Sequence, residues 1–234
     1  MYKLIDTTLK KNRLVNPELL KRQDNFNKKC QDIGITLTDD KSERLLNYLS
    51  LLLKWNKAFN LTAITNPEEA LNLHLLDSVS VSPAISNYET LLDVGTGGGL
   101  PGIPLAIINP EKQFTLLDTN SKKTRFLKQV VYELGLTNVT VINQRVQDFE
   151  NQSGYACILS RAFASLADIV QWTEHLLAAD GHWLAMKGQY PQQELDELPE
   201  TTELVSAQEV KLPGVNASRW FIYLKQKQSA SCKK

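Results

Sequence analysis

The run Leu91-Leu92-Asp93-Val94-Gly95-Thr96-Gly97-Gly98-Gly99 constrains this chain more than any other segment. An apolar stretch ending in an acid reads as a buried β-strand, and the glycines that follow let the backbone turn sharply and come within contact distance of a ligand. A strand, a glycine turn and then a helix form the binding corner of doubly wound sheets, where ligands lie over the carboxyl ends of the strands. The rest of the chain agrees. Strands are expected at 90–94, 113–118, 138–142, 156–160 and 182–187, with helices around 101–109, 121–135, 164–178 and 191–197 between them. A closing pair near 203–211 and 218–225 flanks Pro213-Gly214 with no room for a crossover helix, which predicts antiparallel pairing. The expected fold is therefore α/β and Rossmann-like, a mostly parallel seven-stranded sheet whose last strands run antiparallel.

A literal Gly97-x-Gly99-x-x-Gly102 match also suggests a dinucleotide site. Such a site needs free amides at the next helix N-terminus to hold a pyrophosphate. Pro101 and Pro104 remove two of them, and in register from Gly95 the third glycine position is Leu100. A nicotinamide-dependent oxidoreductase thus rests on the glycine match alone. A ligand without phosphate, carrying an adenosine and a zwitterionic amino acid, suits the loop better, and S-adenosylmethionine is that ligand. Asp93, Gly95, Gly97 and Gly99 form its first wall. Asp118 ends the next strand, about 20 residues on, where a carboxylate accepts from both ribose hydroxyls. Val146 and Gln147, after the third strand, are placed to meet the adenine.

Composition excludes more than it selects. Twenty-six Lys and Arg balance 26 Asp and Glu, so any polyanion must be met by a local patch. Cys30, Cys157 and Cys232 stand in no metal-binding or disulfide pattern, which predicts no metal and a reducing cytoplasm. The charged start Met1-Tyr2-Lys3 and the lack of a long apolar window predict neither a leader nor a membrane span. Residues 1–35 hold Lys3, Lys10, Lys11, Arg13, Lys21, Arg22, Lys28 and Lys29 with weak periodicity, and are expected to be a basic, poorly ordered extension. Residues 36–88 should form a helical part. One helix starts at Thr38 and runs to about Phe59; another opens at Asn66-Pro67-Glu68-Glu69 and runs through Val79. Residues 89–226 then make the sheet domain and 227–234 a disordered tail.

Five segments are more specific than the glycine loop: Trp55 to Thr62, His74-Leu75-Leu76-Asp77-Ser78, Asp93 through Leu105, Ser160-Arg161-Ala162-Phe163-Ala164-Ser165-Leu166, and Ala185-Met186-Lys187-Gly188. Over roughly residues 30–225 the chain resembles the bacterial ribosomal small-subunit methyltransferase G family, formerly called glucose-inhibited division protein B. The resemblance implies N7-methylation of one guanosine in a 16S rRNA loop, with S-adenosylmethionine as donor and 16S rRNA or the small ribosomal subunit as partner. A monomer is expected. On matching positions Gly95, Leu100, Val146, Gln147 and Arg161 contact the cofactor. Gly98 stands where many relatives have Pro or Ala, a change expected to affect only loop stiffness. His74 and Asp77 match as well; they are assigned no catalytic part, and fastening the helical part to the core is an equal alternative.

The chemistry agrees with that implication. Guanine N7 carries a lone pair and no proton, so methyl transfer needs alignment more than a general base. No Asp/Asn-Pro-Pro-aromatic motif for an exocyclic amine ends the fourth strand; Ser160-Arg161-Ala162-Phe163 stands there. Phe163 is the candidate to stack the target base, with Arg161 and Lys187 lining the site toward O6 or a phosphate. Lys122, Lys123, Arg125 and Lys128, joined by Arg145, are candidates for a basic rim that meets RNA. A methyltransferase for another RNA or a small molecule, and a non-catalytic RNA-binding protein, are the competing assignments.

Overall fold

The computed structural model describes residues 16–227. The helical part begins earlier than expected. Helix α1 (Pro17–Leu20) and helix α2 (Gln23–Asp32) occupy a stretch read from sequence as poorly ordered. Three of their apolar side chains, Leu19, Phe26 and Cys30, recur at helical spacing and are buried in the main core, while Leu20 stays exposed. Charges on the other faces dilute that pattern. Asn16 caps α1 by accepting from the Glu18 amide, and its own amide donates to Ser50 Oγ at 2.9 Å. The basic residues before Asn16, and the tail from 228 onward, lie outside the described residues.

Helix α3 (Asp39–Phe59) is the longest. Thr38 caps it by accepting from the Lys41 amide, and Asn60 ends it in the left-handed conformation. Helix α4 (Pro67–Ala70), capped by Asn66, leads into a π-helical stretch, Leu71–Leu76, and then into α5 (Asp77–Val79). The expected single helix thus contains a π segment, a wider turn often found at functional sites.

The sheet domain follows the expected alternation: β1 (Thr90–Val94), α6 (Gly102–Ile108), β2 (Gln113–Asp118), α7 (Ser121–Leu134), β3 (Val139–Asn143), β4 (Tyr155–Arg161), α8 (Leu166–Thr173), β5 (Leu177–Lys187), α9 (Gln192–Asp196), β6 (Thr202–Val210) and β7 (Arg219–Gln226). The strand order is β3-β2-β1-β4-β5-β7-β6. Strands β3, β2, β1, β4 and β5 pair in parallel; β7 pairs antiparallel with both β5 and β6. The fold is therefore the Rossmann-like seven-stranded sheet that the pattern predicts, with its switch point between β1 and β4.

Strand alternation sorts the core into two layers. Leu91, Phe114, Leu116, Leu159 and Met186 join α3, α6 and α7 on one face, while Leu92, Val94, Leu117, Ile158 and Trp183 meet α8 on the other. One boundary differs from expectation. Helix α8 stops at Thr173, and β5 begins at Leu177, where Tyr155 already pairs with it.

Candidate active site

Two cavities open side by side at the carboxyl ends of the strands. The first, about 460 Å³, is lined by Gly95, Asp118, Gln144, Arg145, Val146, Gln147, Phe163 and Trp172, among others. The second, about 580 Å³, lies against the helical part and takes its lining from Thr62, His74, Asp77, Gly97, Leu100, Arg161, Lys187 and Arg219. They share Gly95, Lys123 and Ala162.

The glycine loop is tied down from beneath. The Gly102 amide donates to Asp93 Oδ2 at 2.9 Å, the Ile103 amide to the Gly99 carbonyl at 2.7 Å and the Leu105 amide to the Pro101 carbonyl at 3.1 Å. With Pro101 and Pro104 bearing no amide hydrogen, the first turn of α6 keeps no donor for a phosphate. The literal dinucleotide fingerprint is therefore not matched by a phosphate site on α6.

Of the residues expected at the cofactor, Gly95, Asp118, Val146 and Gln147 come together around the first cavity, while Gly97, Leu100 and Arg161 line the second. Two do not line either. Asp93 is fully buried under the loop, where Thr96 Oγ1 donates to its Oδ2 at 2.6 Å. Burial pushes its carboxyl up to about 6, against the pull of the Thr96 and Gly102 hydrogen bonds. It clamps the loop. Gly99 faces the core, where an added Cβ would lie 2.6 Å from Ile103 Cγ1 and 2.7 Å from Leu127 Cδ2. Its lack of a side chain serves packing. Gly98 is tighter than a loop-stiffness effect implies, because an added Cβ would lie 3.0 Å from Leu52 Cδ1. Its carbonyl accepts from the buried Tyr48 hydroxyl at 2.7 Å.

The first cavity fits a phosphate-free adenosine. At Gly95, φ is +62° and an added Cβ would stand 2.0 Å from Phe163 Cδ2, so only glycine leaves the pocket open between the loop and that ring. Asp118 receives the Gly97 amide on Oδ2 at 2.9 Å and the Asn120 amide on Oδ1 at 2.8 Å, which orients the carboxylate and leaves lone pairs for a diol. Asn120, not Asp118, caps α7.

Phe163 belongs to this cavity and not to the side assigned to it from sequence. It stacks edge-on against Trp172 with ring centroids 5.9 Å apart. The cause is local: Ala162 has φ of +50°, a left-handed turn that sends Arg161 to the second cavity and Phe163 to the first.

The second cavity is held by long-range ion pairs. Arg161 Nη1 donates to Asp77 Oδ2 and to the Leu73 carbonyl, both at 3.0 Å. Arg219 Nε donates to Asp77 Oδ1 at 2.8 Å. Asp77 is thus a buried bridge between two guanidiniums, and the π segment supplies the Leu73 carbonyl beside it. His74 Nε2 bonds Thr62 Oγ1 at 2.8 Å; burial, then Arg161, pushes this imidazole down to about 4, so it is neutral at pH 7. The Lys187 ammonium is not free to read a base: it donates to Glu194 Oε2 at 2.7 Å and to the Ala164 carbonyl at 3.2 Å.

Arg219 and Trp172 escaped the sequence analysis. For Arg219 a signal existed. It stands in phase with Phe221 and Tyr223, which pack in the main core, so an arginine occupies the inward register of β7. Of the basic residues expected to meet RNA, Lys122, Arg125, Lys128 and Arg145 are exposed, whereas Lys123 is half-buried and stands 3.9 Å from Asp118 Oδ2. Among the described residues no group of His, Cys, Asp or Glu is placed to hold a metal ion, and no helix is long and apolar enough to cross a membrane.

Sheet order, closing antiparallel strands and a phosphate-free glycine corner define a Rossmann-like methyltransferase. Solved structures share that fold at low identity. The ribosomal protein L11 methylase of Lactobacillus delbrueckii subsp. bulgaricus matches with a TM-score of 0.51 at 16% identity, covering 70% of this chain and 81% of its own. M. jannaschii TYW2 in complex with AdoMet matches with a TM-score of 0.50 at 16% identity, over 64% and 77% of the two chains. The family model described as GidB, rRNA small subunit methyltransferase G, matches residues 41–222. Proteins called ribosomal RNA small subunit methyltransferase G are similar in sequence: that of Ectopseudomonas mendocina is 49% identical over 84% of this chain and 92% of its own length, and that of Aeromonas salmonicida 48% over 83% and 93%. The chain belongs to the rRNA small subunit methyltransferase G family.

Proposed function

We propose that this protein transfers a methyl group from S-adenosylmethionine to N7 of a specific guanosine in a 16S rRNA loop of the small ribosomal subunit. The observation that carries this is the meeting of two unlike cavities at Gly95 and Ala162, one fitted to an adenosine and one lined by guanidinium groups. The bound cofactor supplies an electrophilic methyl group. Gly95, Asp118, Val146 and Gln147 hold its nucleoside end, and Gly97, Leu100 and Arg161 line the space beyond. Arg161 and Arg219 bring N–H donors to the second cavity, the partners that a guanine O6 or a phosphate calls for.

The second cavity suits a nucleophile that needs no base. Its lining contains one acid, Asp77, whose two oxygens are each engaged by an arginine, and its one histidine is bonded to Thr62. A guanine N7 has no proton to remove, so these residues act by orientation and by excluding water. The protein would act as a monomer, in the cytoplasm, on ribosomal subunits.

The test is incubation with labelled S-adenosylmethionine and small subunits from cells lacking the enzyme, followed by mapping of the label. Label at N7 of one 16S guanosine is expected. Label on an exocyclic amine, or on a ribosomal protein, would overturn the assignment.

A further inference from the structure

Helix α7 carries more than the glycine corner needs. From Thr119 to Tyr132 the chain contains no Asp or Glu, while Lys122, Lys123, Arg125 and Lys128 supply four cations. The structure divides them. Lys123 turns inward, toward Asp118, and lines both cavities. Lys122, Arg125, Lys128 and Tyr132 are exposed at spacings of three and four, which places them along one face of the helix, with the exposed Ser121 at its start. The stripe spans about 16 Å, from the mouth of the first cavity to the far end of the helix.

Two features distinguish this stripe from an ordinary solvated face. Its cations are gathered with no acid among them, whereas Arg44, Arg161, Lys187, Arg219 and Lys225 each stand against a carboxylate. Among the described residues Lys122, Arg125, Lys128 and the nearby Arg145 have no such partner, and Gln129 takes up Glu133, the first acid after the stripe, at 2.6 Å. Tyr132, in line with these cations, is 82% exposed, far beyond any other large apolar side chain among the described residues. Isolated exposed apolar residues are common, but a bare aromatic ring in register with unpaired cations matches a strand that alternates phosphates with stackable bases. Duplex RNA hides its base faces, so the match is to an unpaired segment.

We propose that this face of α7, with Arg145, docks a single-stranded segment of the RNA substrate flanking the target nucleotide, its phosphates on Lys122, Arg125, Lys128 and Arg145 and one base stacked on Tyr132. The inference rests on RNA being the substrate, and adds where the strand runs once it leaves the cavities. Because the chain carries no net positive charge, salt-dependent affinity has to come from local surfaces such as this one.

The experiment compares the full chain with two loss variants, Lys122→Gln/Arg125→Gln/Lys128→Gln and Tyr132→Ala, and with the control Tyr132→Phe, using small ribosomal subunits from cells lacking the enzyme. Binding is measured against salt, KM and kcat by methyl transfer, and cofactor affinity by calorimetry. For the triple variant we expect KM to rise about a hundredfold and the slope of log K against log salt to shrink by about two, with kcat and cofactor affinity unchanged. Tyr132→Ala should raise KM about tenfold at every salt concentration, and Tyr132→Phe should restore it, because the ring and not the hydroxyl stacks. KM and salt slope within twofold of the parent in both variants would overturn the proposal, as would subunit binding by the full chain that does not depend on salt. If the label maps to an atom other than guanine N7 while the variants still lose subunit affinity, the N7 assignment falls and the docking surface stands. Binding of an acidic protein in place of RNA by the same face would sink it.

Discussion

The two cavities are built by different means. The first is lined by residues at the ends of successive strands, Gly95 after β1, Asp118 ending β2 and Val146 after β3, each set by its own strand-loop-helix unit. The second is closed by contacts between distant parts of the chain: Arg161 meets Asp77 across 84 positions and Arg219 meets it across 142. The charged groups differ to match. In the first cavity Asp118 is oriented by amides and keeps lone pairs for a ligand, whereas in the second Asp77 gives each oxygen to an arginine. The first cavity is therefore assembled locally, while the second depends on the helical part docking against β4 and β7.

The strongest way to break this comparison is to remove the bridge. Asp77→Ala strands two partly buried guanidiniums without their carboxylate, and the expected loss is about 3–5 kcal/mol of folding stability, measured by urea denaturation. Turnover should fall at least about a hundredfold while cofactor affinity changes by less than about tenfold. A parallel collapse of cofactor affinity in protein that remains folded would show that the two cavities are not separable.

The converse attack is Gly95→Ala. A Cβ there meets the Phe163 ring, on a backbone already at positive φ, so cofactor affinity by calorimetry should drop about a hundredfold, close to 3 kcal/mol. The ion pairs of the second cavity should persist, with stability changed far less than by Asp77→Ala. Unchanged affinity would remove the first cavity from the cofactor site.

A smaller effect separates the regions by pH. His74 in the helical part is held near 4, below its ordinary 6.5, so the stability it permits is complete above pH 6.5 and is lost as pH falls toward 4. Asp93 under the glycine loop has the opposite sign. Its carboxyl is raised to about 6, so protonation favours the folded state as pH falls from 6 toward 3.8. In a comparison of the parent with His74→Gln the Asp93 contribution cancels. The parent should lose about 2 kcal/mol more than the variant between pH 7 and pH 5 by denaturant titration. Equal losses would mean that His74 is solvated when charged.

The legibility of these features follows from range. Capping at Thr38 and Asn66, the strand at Thr90–Val94 and the antiparallel β6–β7 pair depend on neighbours in sequence, and each was readable there. The cover formed by α1 and α2 was not, because Leu19, Phe26 and Cys30 gain their burial only when these helices pack on distant elements, α3, α4 and the π segment. Neither was the separation of Phe163 from Arg161, which turns on the left-handed backbone at Ala162. Asp93 and Gly99 were legible as parts of the loop but not as its underside, since a strand end shows which residues are near a ligand and not which face the core.

Sequence alone therefore determined the Rossmann-like sheet, the phosphate-free corner after Val94 and the place of Asp118 beside it, because backbone preference and strand period act within a few residues. Tertiary structure alone decided that Asp77 joins Arg161 and Arg219, that Lys187 is spent on Glu194, and that the exposed cations of α7 stay unpaired. Those outcomes depend on which distant charges folding brings within hydrogen-bond reach and which it leaves facing water.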